Sequence, residues 1–275
     1  MSEPEKAWRR ATWRARPWPD FVILGTQRGG TTSLYQWLSE QPGVAPATRK
    51  EIHYFDLNYA KGEAWYRSHF PRAAGRGRPG RPITGEASPY LLFHPLAPAR
   101  AAADLPAATR FIVLLREPVE RAVSHYWHER KMKAETQPLA EALAAEGQRL
   151  AGQSEVVEAG GRSFAHFHFS YAARGRYAEQ LERWFAQVGR ERILVLESEK
   201  LFTEPSVLGA VTDWLGLDAA TGSFPAVNEA PRPPADANQT DEGDTDAVAV
   251  DHLRRSFEGD NEALFTLLGQ RLWGR

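Results

Sequence analysis

Short, uninterrupted apolar runs alternate along the chain with longer segments whose apolar residues recur at helical spacing. The runs are bounded by turn residues and lie at Phe21–Leu24, Phe111–Leu115, Ile193–Leu196 and near Ile83–Glu86. Continuous apolar runs of this length are typical of buried parallel strands. Helices are predicted at Thr32–Glu40, Pro118–Lys131, Leu139–Gln148, Tyr177–Val188, Pro205–Leu215 and Asp251–Arg271, the last with a break near Gly259. This alternation predicts a three-layer α/β fold with a mostly parallel sheet.

The length of 275 residues is sufficient for one domain with a sizeable core. We predict an N-terminal extension over residues 1–20 and a single domain over residues 21–275. Two segments rich in turn-forming residues, Arg72–Pro82 and Ala230–Asp246, are predicted to be loops. The first of these is also rich in arginine, which fits either a solvated loop or a segment that grips an anionic acceptor.

A glycine-rich turn links the first strand to the first predicted helix. Gly25 and Gly30 stand at the spacing of a phosphate-binding loop, G-x-x-x-x-G-K-[ST], but Thr31 occupies the position of the lysine. A cation, Arg28, lies earlier in the same turn. Backbone N–H groups and the start of a helix favour an anion at such a turn. The turn therefore predicts a phosphorylated nucleotide that is not ATP handled in the ATPase manner.

A second cluster follows the strand at Phe111–Leu115. Arg116 comes directly after that strand, and Ser124 follows about two helical turns later. A guanidinium offers a planar fork to a phosphate, and a hydroxyl adds a donor. If the two strands are neighbours, Arg116 lies beside the glycine-rich turn, because ligands bind at the carboxyl ends of parallel strands. Taken alone, the same residues would also fit an arginine paired with a surface carboxylate.

Composition narrows the possible chemistry. The net charge is −1, so an anion must be bound by local clusters, and the absence of cysteine excludes thiolate ligands and a cysteine nucleophile. His125, His128, His166 and His168 show no zinc pattern with nearby carboxylates, so we predict no metal. There is no apolar run of about 20 residues and no apolar signal segment at the N-terminus. We expect a cytoplasmic protein with neither a membrane nor a nucleic acid as its partner.

Together, the two phosphate-binding motifs resemble those of the sulfotransferases that use 3′-phosphoadenosine 5′-phosphosulfate (PAPS). The resemblance runs from about Phe21 to Leu217. It implies a P-loop-like nucleotide-binding fold, PAPS as donor and 3′-phosphoadenosine 5′-phosphate (PAP) as product. It also implies that the first turn binds the 5′-phosphosulfate, and that Arg116 and Ser124 bind the 3′-phosphate. The residues assigned to the first turn are Gly25, Gln27, Arg28, Gly29, Gly30, Thr31, Thr32 and Ser33.

The segment Lys50–Asp56 is similar to a segment of the glycan O-sulfotransferase branch of this family. The resemblance implies that Glu51 is the catalytic base and that His53 or Asp56 orients it or the substrate. It places Glu86, in Gly85–Tyr90, in the acceptor site together with Asp56. If the segment Glu51–Asp56 is extended, Glu51 and His53 share one face and Asp56 lies on the other, whereas a local turn would change this.

Two features depart from the family pattern. Arg28 stands where many members have lysine, so it keeps the charge but cannot act as a general acid. The usual phosphate-binding segment of the C-terminal half is not evident, although Arg232 could replace it.

We therefore expect an enzyme that transfers a sulfuryl group from PAPS to a hydroxyl of a carbohydrate-like or natural-product acceptor, with Arg28 acting on the sulfuryl group. A P-loop kinase or NTPase is one alternative, although it would need a lysine at position 31 and a carboxylate for Mg²⁺. A non-catalytic nucleotide-binding module is the other, and it gives Glu51 no role. The sequence does not distinguish O- from N-sulfation, and it does not identify the acceptor or the oligomeric state.

Overall fold

The computed structural model describes residues 2–72, 82–218, 222–225 and 241–274. The chain divides into two compact units. The sheet unit comprises Met1–Thr26, Gly30–Leu114 and Trp184–Asn228, and the helical unit comprises Gln27–Gly29, Leu115–Arg183 and Glu229–Arg275. The predicted division into an extension and a single domain stays a prediction. Arg232, most of the arginine-rich loop and residues 230–240 lie outside the described residues.

Four strands form the sheet of the described chain: β1 (Phe21–Gly25), β2 (Gly85–Ala87), β3 (Arg110–Leu115) and β4 (Ile193–Glu197). Their order is β2-β1-β3-β4, and β1 pairs in parallel with both β2 and β3. All five residues of β1 are buried, as expected for a strand covered on both faces. The predicted parallel α/β fold is confirmed, and β1 and β3 are neighbours, which is the condition under which Arg116 was expected beside the glycine-rich turn.

The described helices are named in chain order. They are α1 (Glu3–Ala11), α2 (Thr31–Ser39), α3 (Gly62–Arg67), α4 (Ala97–Asp104), α5 (Pro118–Lys131), α6 (Leu139–Leu150), α7 (Gln153–Glu158), α8 (Phe164–His168), α9 (Tyr177–Val188), α10 (Lys200–Thr203), α11 (Pro205–Leu215), α12 (Asp241–Ser256) and α13 (Glu258–Leu268). The last predicted helix has its break at Phe257, near Gly259 as predicted, but it begins at Asp241 rather than Asp251. Residues 241–246 are therefore helical and not part of the predicted loop. Among the described residues, no helix has the length and apolar character needed to cross a bilayer.

Side chains of α2 and α11 cover one face of the sheet. Leu34, Trp37 and Leu38 of α2 pack in one apolar cluster with alternate strand residues, including Ile23 and Ile112. On the other face, Phe111 packs against Trp184 of α9 with ring centroids 5.5 Å apart. Because successive strand residues point to opposite faces, one strand thereby anchors both helix layers.

The helical unit has its own apolar core, formed by α5, α6, α12 and Tyr171. Helix α5 begins where the sequence predicts it. Pro118 occupies its first turn, and the Glu117 side chain at the N-cap accepts a hydrogen bond from the Glu120 amide at 2.8 Å. This helix carries Ser124 and follows directly on Arg116, so its packing fixes both residues of the second predicted phosphate site.

Candidate active site

The glycine-rich turn leaves β1 and leads into α2. A Cβ atom on Gly25 would come within 2.8 Å of Leu92 Cβ, so the turn needs glycine there. Gly30 has a φ of 81° and is the N-cap of α2, where no side chain caps the helix. Thr32 is partly exposed at this end, whereas Ser33 is fully buried. Of these two predicted ligand-binding hydroxyls, only that of Thr32 has access to solvent.

Arg28 joins the two predicted phosphate motifs within the helical unit. Its Nε donates to Ser124 Oγ at 3.0 Å, and its carbonyl oxygen accepts from an Arg116 Nη at 3.4 Å. The other Nη of Arg116 lies 3.0 Å from the exposed carboxylate of Glu120. Arg116 and Ser124 are thus connected through Arg28. Two guanidinium groups and one hydroxyl form a cation cluster, which we define as Arg28, Arg116 and Ser124.

The electrostatics of Arg28 suit an anionic ligand. Burial lowers its pKa, and the positive charge of Arg116 lowers it further, while Glu129 acts in the opposite direction. Arginine stays protonated in proteins, so Arg28 keeps its charge. The unfavourable electrostatic free energy is then a repulsion between the guanidinium groups of Arg28 and Arg116. A phosphate would relieve that repulsion, because it accepts charge-assisted hydrogen bonds from both guanidinium groups.

A contact missed by the sequence analysis holds the same turn. The buried guanidinium of Arg174 donates through Nε to Ser170 Oγ at 2.8 Å and through one Nη to the Gln27 side-chain oxygen. Its second Nη donates to the Phe167 carbonyl oxygen at 2.6 Å. Gln27, predicted to bind the nucleotide, is therefore fixed by Arg174 in this structure. No local sequence motif indicates this role of Arg174, because its contact with Gln27 joins residues 147 positions apart.

In the sheet unit, the structure brings Glu51, His53 and Asp56 together, and we call these three residues the acid–base cluster. His53 Nδ1 lies 2.6 Å from Asp56 Oδ2, and His53 Nε2 lies 3.6 Å from Glu51 Oε2. Lys50 makes an ion pair with the other oxygen of Glu51. The segment contains a turn at residues 54–57 and is not extended. Opposite faces for His53 and Asp56 were expected only for an extended segment, and the structure shows the alternative, a local turn.

The predicted catalytic residues share an unusual backbone conformation with positive φ. Four non-glycine residues of the described chain have positive φ, namely Arg28 (69°), Glu51 (59°), His53 (55°) and Lys133 (61°). Each such residue costs roughly 1–3 kcal/mol and persists only when its surroundings enforce it. Three of the four are the residues predicted to act in catalysis, which supports a functional origin for the strain.

The acid–base cluster is charged, and Lys50 together with His53 balances its two acidic groups. Hydrogen bonding to His53 lowers the pKa of Glu51 to about 2, with Lys50 contributing in the same direction against burial. Burial alone would lower the pKa of His53, but hydrogen bonds to Asp56 and Glu51 outweigh it and raise the value to about 9. The raised pKa of His53 favours its imidazolium form beside Glu51 and Asp56, and the lowered pKa of Glu51 favours its carboxylate form.

The two carboxylates predicted to bind the acceptor, Asp56 and Glu86, are both buried. The Asp56 side chain has no exposed surface and bonds to His53 and the Leu57 amide. Glu86 is 0% exposed and accepts from Tyr66 and Ser88. Direct contact with an acceptor does not fit this placement, because the polar atoms of both groups are already bonded inside the protein. Their contribution would have to pass through neighbouring residues.

Comparison with known proteins decides the family. A family model described as a sulfotransferase domain matches residues 18–229. The chain belongs to the sulfotransferase family. A solved sulfotransferase from Alicyclobacillus acidocaldarius is similar in structure, with a TM-score of 0.67 and 25% identity over 93% of this chain and 98% of that one. The predicted P-loop-like sulfotransferase fold is thereby confirmed.

Curated relatives include enzymes of glycan sulfation. The human heparan sulfate glucosamine 3-O-sulfotransferase 3B1 is 34% identical over 200 residues, which are 72% of this chain and 46% of that protein. The bifunctional heparan sulfate N-deacetylase/N-sulfotransferase 1 of Caenorhabditis elegans is 29% identical over 207 residues, 72% of this chain and 22% of that protein. The chain thus spans less than half the length of either relative.

Proposed function

We propose that this sulfotransferase moves a sulfuryl group from PAPS to a hydroxyl group of a carbohydrate acceptor. The observation that carries the proposal is the cation cluster, in which Arg28 Nε lies 3.0 Å from Ser124 Oγ and Arg116 contacts the Arg28 carbonyl. The named relatives act on heparan sulfate, which supports a glycan as the acceptor. The acid–base cluster gives the chain a proton acceptor, which a module that only binds nucleotide would not need.

The residues of the cation cluster fit a nucleotide that carries separate phosphates. When bound, PAPS supplies a sulfuryl group on a phosphate leaving group. Arg116 and Ser124 would hold the 3′-phosphate, while Arg28 would hold the 5′-phosphosulfate. Arg28 would also stabilise the negative charge that develops on the bridging oxygen as the sulfur–oxygen bond breaks.

Glu51 would deprotonate the acceptor. The new bond forms between the acceptor oxygen and sulfur, the old sulfur–oxygen bond breaks with its electron pair left on the phosphate, and the hydroxyl proton passes to the Glu51 carboxylate. A carboxylate with a pKa of about 2 is a weak base. It suffices if the proton is transferred after bond formation has made the hydroxyl acidic. The imidazolium of His53 then keeps the Glu51 carboxylate oriented and ionised.

The test is a transfer assay with ³⁵S-labelled PAPS and a panel of acceptors: desulfated heparan, N-sulfated heparan, chondroitin and simple glycosides. We expect label in at least one glycan with wild type, and its loss in the Glu51→Gln variant. O-sulfated and N-sulfated products are separated by nitrous acid treatment, which cleaves at N-sulfated glucosamine. Absence of transfer to every acceptor, together with no binding of PAP, would refute the proposal.

A chelator arm separates this activity from that of the kinase-like alternative. Among the described residues there is no group of three histidine or acidic side chains that could hold a metal. Independence from metals is part of the proposal, because the two guanidinium groups can neutralise the phosphates. Excess EDTA should leave the transfer rate nearly unchanged, whereas a rate that falls and returns with Mg²⁺ would contradict this part of the proposal.

A further inference from the structure

Ala87, the last residue of β2, and Ser88, the residue after it, restrain the backbone at Glu51 and His53. The Glu51 amide donates to the Ala87 carbonyl oxygen at 3.0 Å, and the His53 amide donates to Ser88 Oγ at 3.0 Å. Both residues are in the left-handed conformation, with φ of 59° and 55°. Non-glycine residues leave this region unless they are restrained. The two bonds therefore determine the directions in which the Glu51 and His53 side chains leave the backbone.

The hydrogen bond from the His53 amide fixes the direction of a longer chain of bonds. An amide N–H can only donate, so the Ser88 oxygen accepts from it and the Ser88 proton is directed elsewhere. That proton meets Glu86 Oε2, at an oxygen–oxygen distance of 2.8 Å. The other oxygen of Glu86 accepts from the Tyr66 hydroxyl at 2.6 Å. The carboxylate of Glu86 thus terminates a hydrogen-bond chain that begins at the His53 backbone.

This chain lies entirely inside the sheet unit. Ser88, Glu86 and Tyr66 are each 0% exposed. Burial raises the pKa of Glu86, and the hydrogen bonds from Tyr66 and Ser88 offset part of that effect. Keeping a carboxylate in such a place is costly unless both of its oxygens are bonded. An apolar residue of similar volume would fill the space at less cost, so stability alone does not explain the choice of glutamate.

We propose that Ser88 and Glu86 are positioning residues for catalysis, which act by holding His53, and with it Glu51, in the left-handed backbone conformation. This inference rests on the proposed function, in which Glu51 accepts the acceptor proton. It gives Glu86 an indirect role in place of the predicted contact with the acceptor. Tyr66 acts one step further away, by fixing the orientation of the Glu86 carboxylate.

Kinetics of two variants test the inference. Ser88→Ala removes the acceptor for the His53 amide, and we expect kcat to fall about 10- to 100-fold, the scale on which small displacements act in catalysis. The Kd for PAP should stay within a factor of two, roughly the scatter of additive distant effects. Ser88→Thr keeps the hydroxyl and should recover most of the rate. Tyr126→Phe is the matched control, because it removes another mostly buried hydroxyl, one that donates to the Gln137 carbonyl oxygen at 2.9 Å.

A second readout does not depend on activity. NMR of the ligand-free protein gives the hydrogen-exchange rate of the His53 amide and the pKa of its ring, which is raised to about 9 in the wild type. In Ser88→Ala we expect faster amide exchange and a ring pKa that moves toward 6.5, since the ring loses its fixed placement against Asp56 and Glu51. A folded Ser88→Ala protein with unchanged kcat, or with unchanged exchange and ring pKa, would overturn the inference.

The two proposals fail in distinguishable ways. If the wild type neither transfers a sulfuryl group nor binds PAP, the proposed function fails, while the NMR readout still decides whether Ser88 positions His53. If Ser88→Ala does not fold, Glu86→Gln takes its place, because glutamine keeps the shape but can accept only one of the two hydrogen bonds. We expect the same direction of change with a smaller loss of kcat. A folded Glu86→Gln protein with wild-type kcat and His53 exchange would overturn the inference.

Discussion

The cation cluster and the acid–base cluster differ in how their charges are balanced. Arg28 and Arg116 repel each other, and the partners that oppose this repulsion are Glu120, which is exposed, and Glu129. In the acid–base cluster, His53 stands between Glu51 and Asp56, and Lys50 pairs with Glu51, so each charge has a nearby counter-charge. The first cluster gains most from an incoming anion, whereas the second is already organised in the ligand-free protein. This difference is consistent with the proposal that the cation cluster binds the nucleotide and the acid–base cluster transfers the proton.

Glu51→Gln should have the largest effect, and this variant separates nucleotide binding from proton transfer. The substitution keeps the shape of the side chain but removes the proton acceptor, so turnover should fall about 10²- to 10⁴-fold. The Kd for PAP, measured by calorimetry, should stay nearly unchanged. Glu63→Gln is the control, because it alters another partly exposed glutamate of the sheet unit, one that is ion-paired with Arg67. If Glu51→Gln keeps most of its activity on a true acceptor, the base lies elsewhere and His53 is the next residue to test.

Arg28→Ala should weaken nucleotide binding and also slow sulfuryl transfer, because Arg28 belongs to the cation cluster and would also stabilise the leaving oxygen. A hydrogen bond to a charged group contributes about 1.5–3 kcal/mol, so we expect a roughly 10- to 150-fold weaker affinity for PAP. A further loss of kcat should accompany it. The readouts are calorimetry and single-turnover kinetics at saturating nucleotide. A loss of affinity with unchanged kcat would restrict Arg28 to binding.

The acid–base cluster should respond to pH in a predictable direction. Folding raises the pKa of His53 from 6.5 to about 9, so its stabilisation is fully present below pH 6.5 and is lost as the pH rises through about 9. For Glu51, whose pKa is lowered from 4.5 to about 2, the stabilisation is present above pH 4.5 and is lost as the pH falls through about 2. His53→Gln should therefore cost more stability at pH 6 than at pH 10.

Urea unfolding of wild type and His53→Gln across this range measures that difference. The substitution should also raise the pKa of Glu51 toward 4.5, since the hydrogen bond to His53 is the main cause of its shift. The acidic limb of kcat/KM against pH would then move upward. A difference in the free energy of unfolding that stays constant from pH 6 to pH 10 would show that His53 is not charged in the folded protein.

The sequence predicted the elements that carry clear hydrophobic patterns. The strands β1, β3 and β4 and the helix α5 lie within a residue or two of their predicted positions. Helix α1 was missed because it is short and mostly charged, with few apolar residues to give a helical pattern. The helix break was predicted near Gly259 and lies at Phe257, a residue that packs in the helical core.

The predicted site was less accessible to sequence reasoning than the fold. Glycine spacing pointed to the turn after β1, and the strand-end Arg116 pointed to its neighbour. The left-handed backbone at Arg28, Glu51 and His53 has no sequence signal, because these residue types seldom adopt it. Glu86 accepts a hydrogen bond from Tyr66, 20 positions away, and Arg174 donates to Gln27, 147 positions away. No local sequence pattern indicates contacts over such distances.

Calorimetric titration of PAP and AMP into the wild-type protein tests the division between the two clusters most directly. PAP carries the 3′-phosphate that AMP lacks, and Arg116 and Ser124 are assigned to that phosphate. We predict a roughly 10- to 150-fold tighter Kd for PAP, the equivalent of one charged hydrogen bond. Arg116→Ala should remove most of this preference, while Glu51→Gln should leave it intact. Equal affinities of the wild type for PAP and AMP would contradict the account.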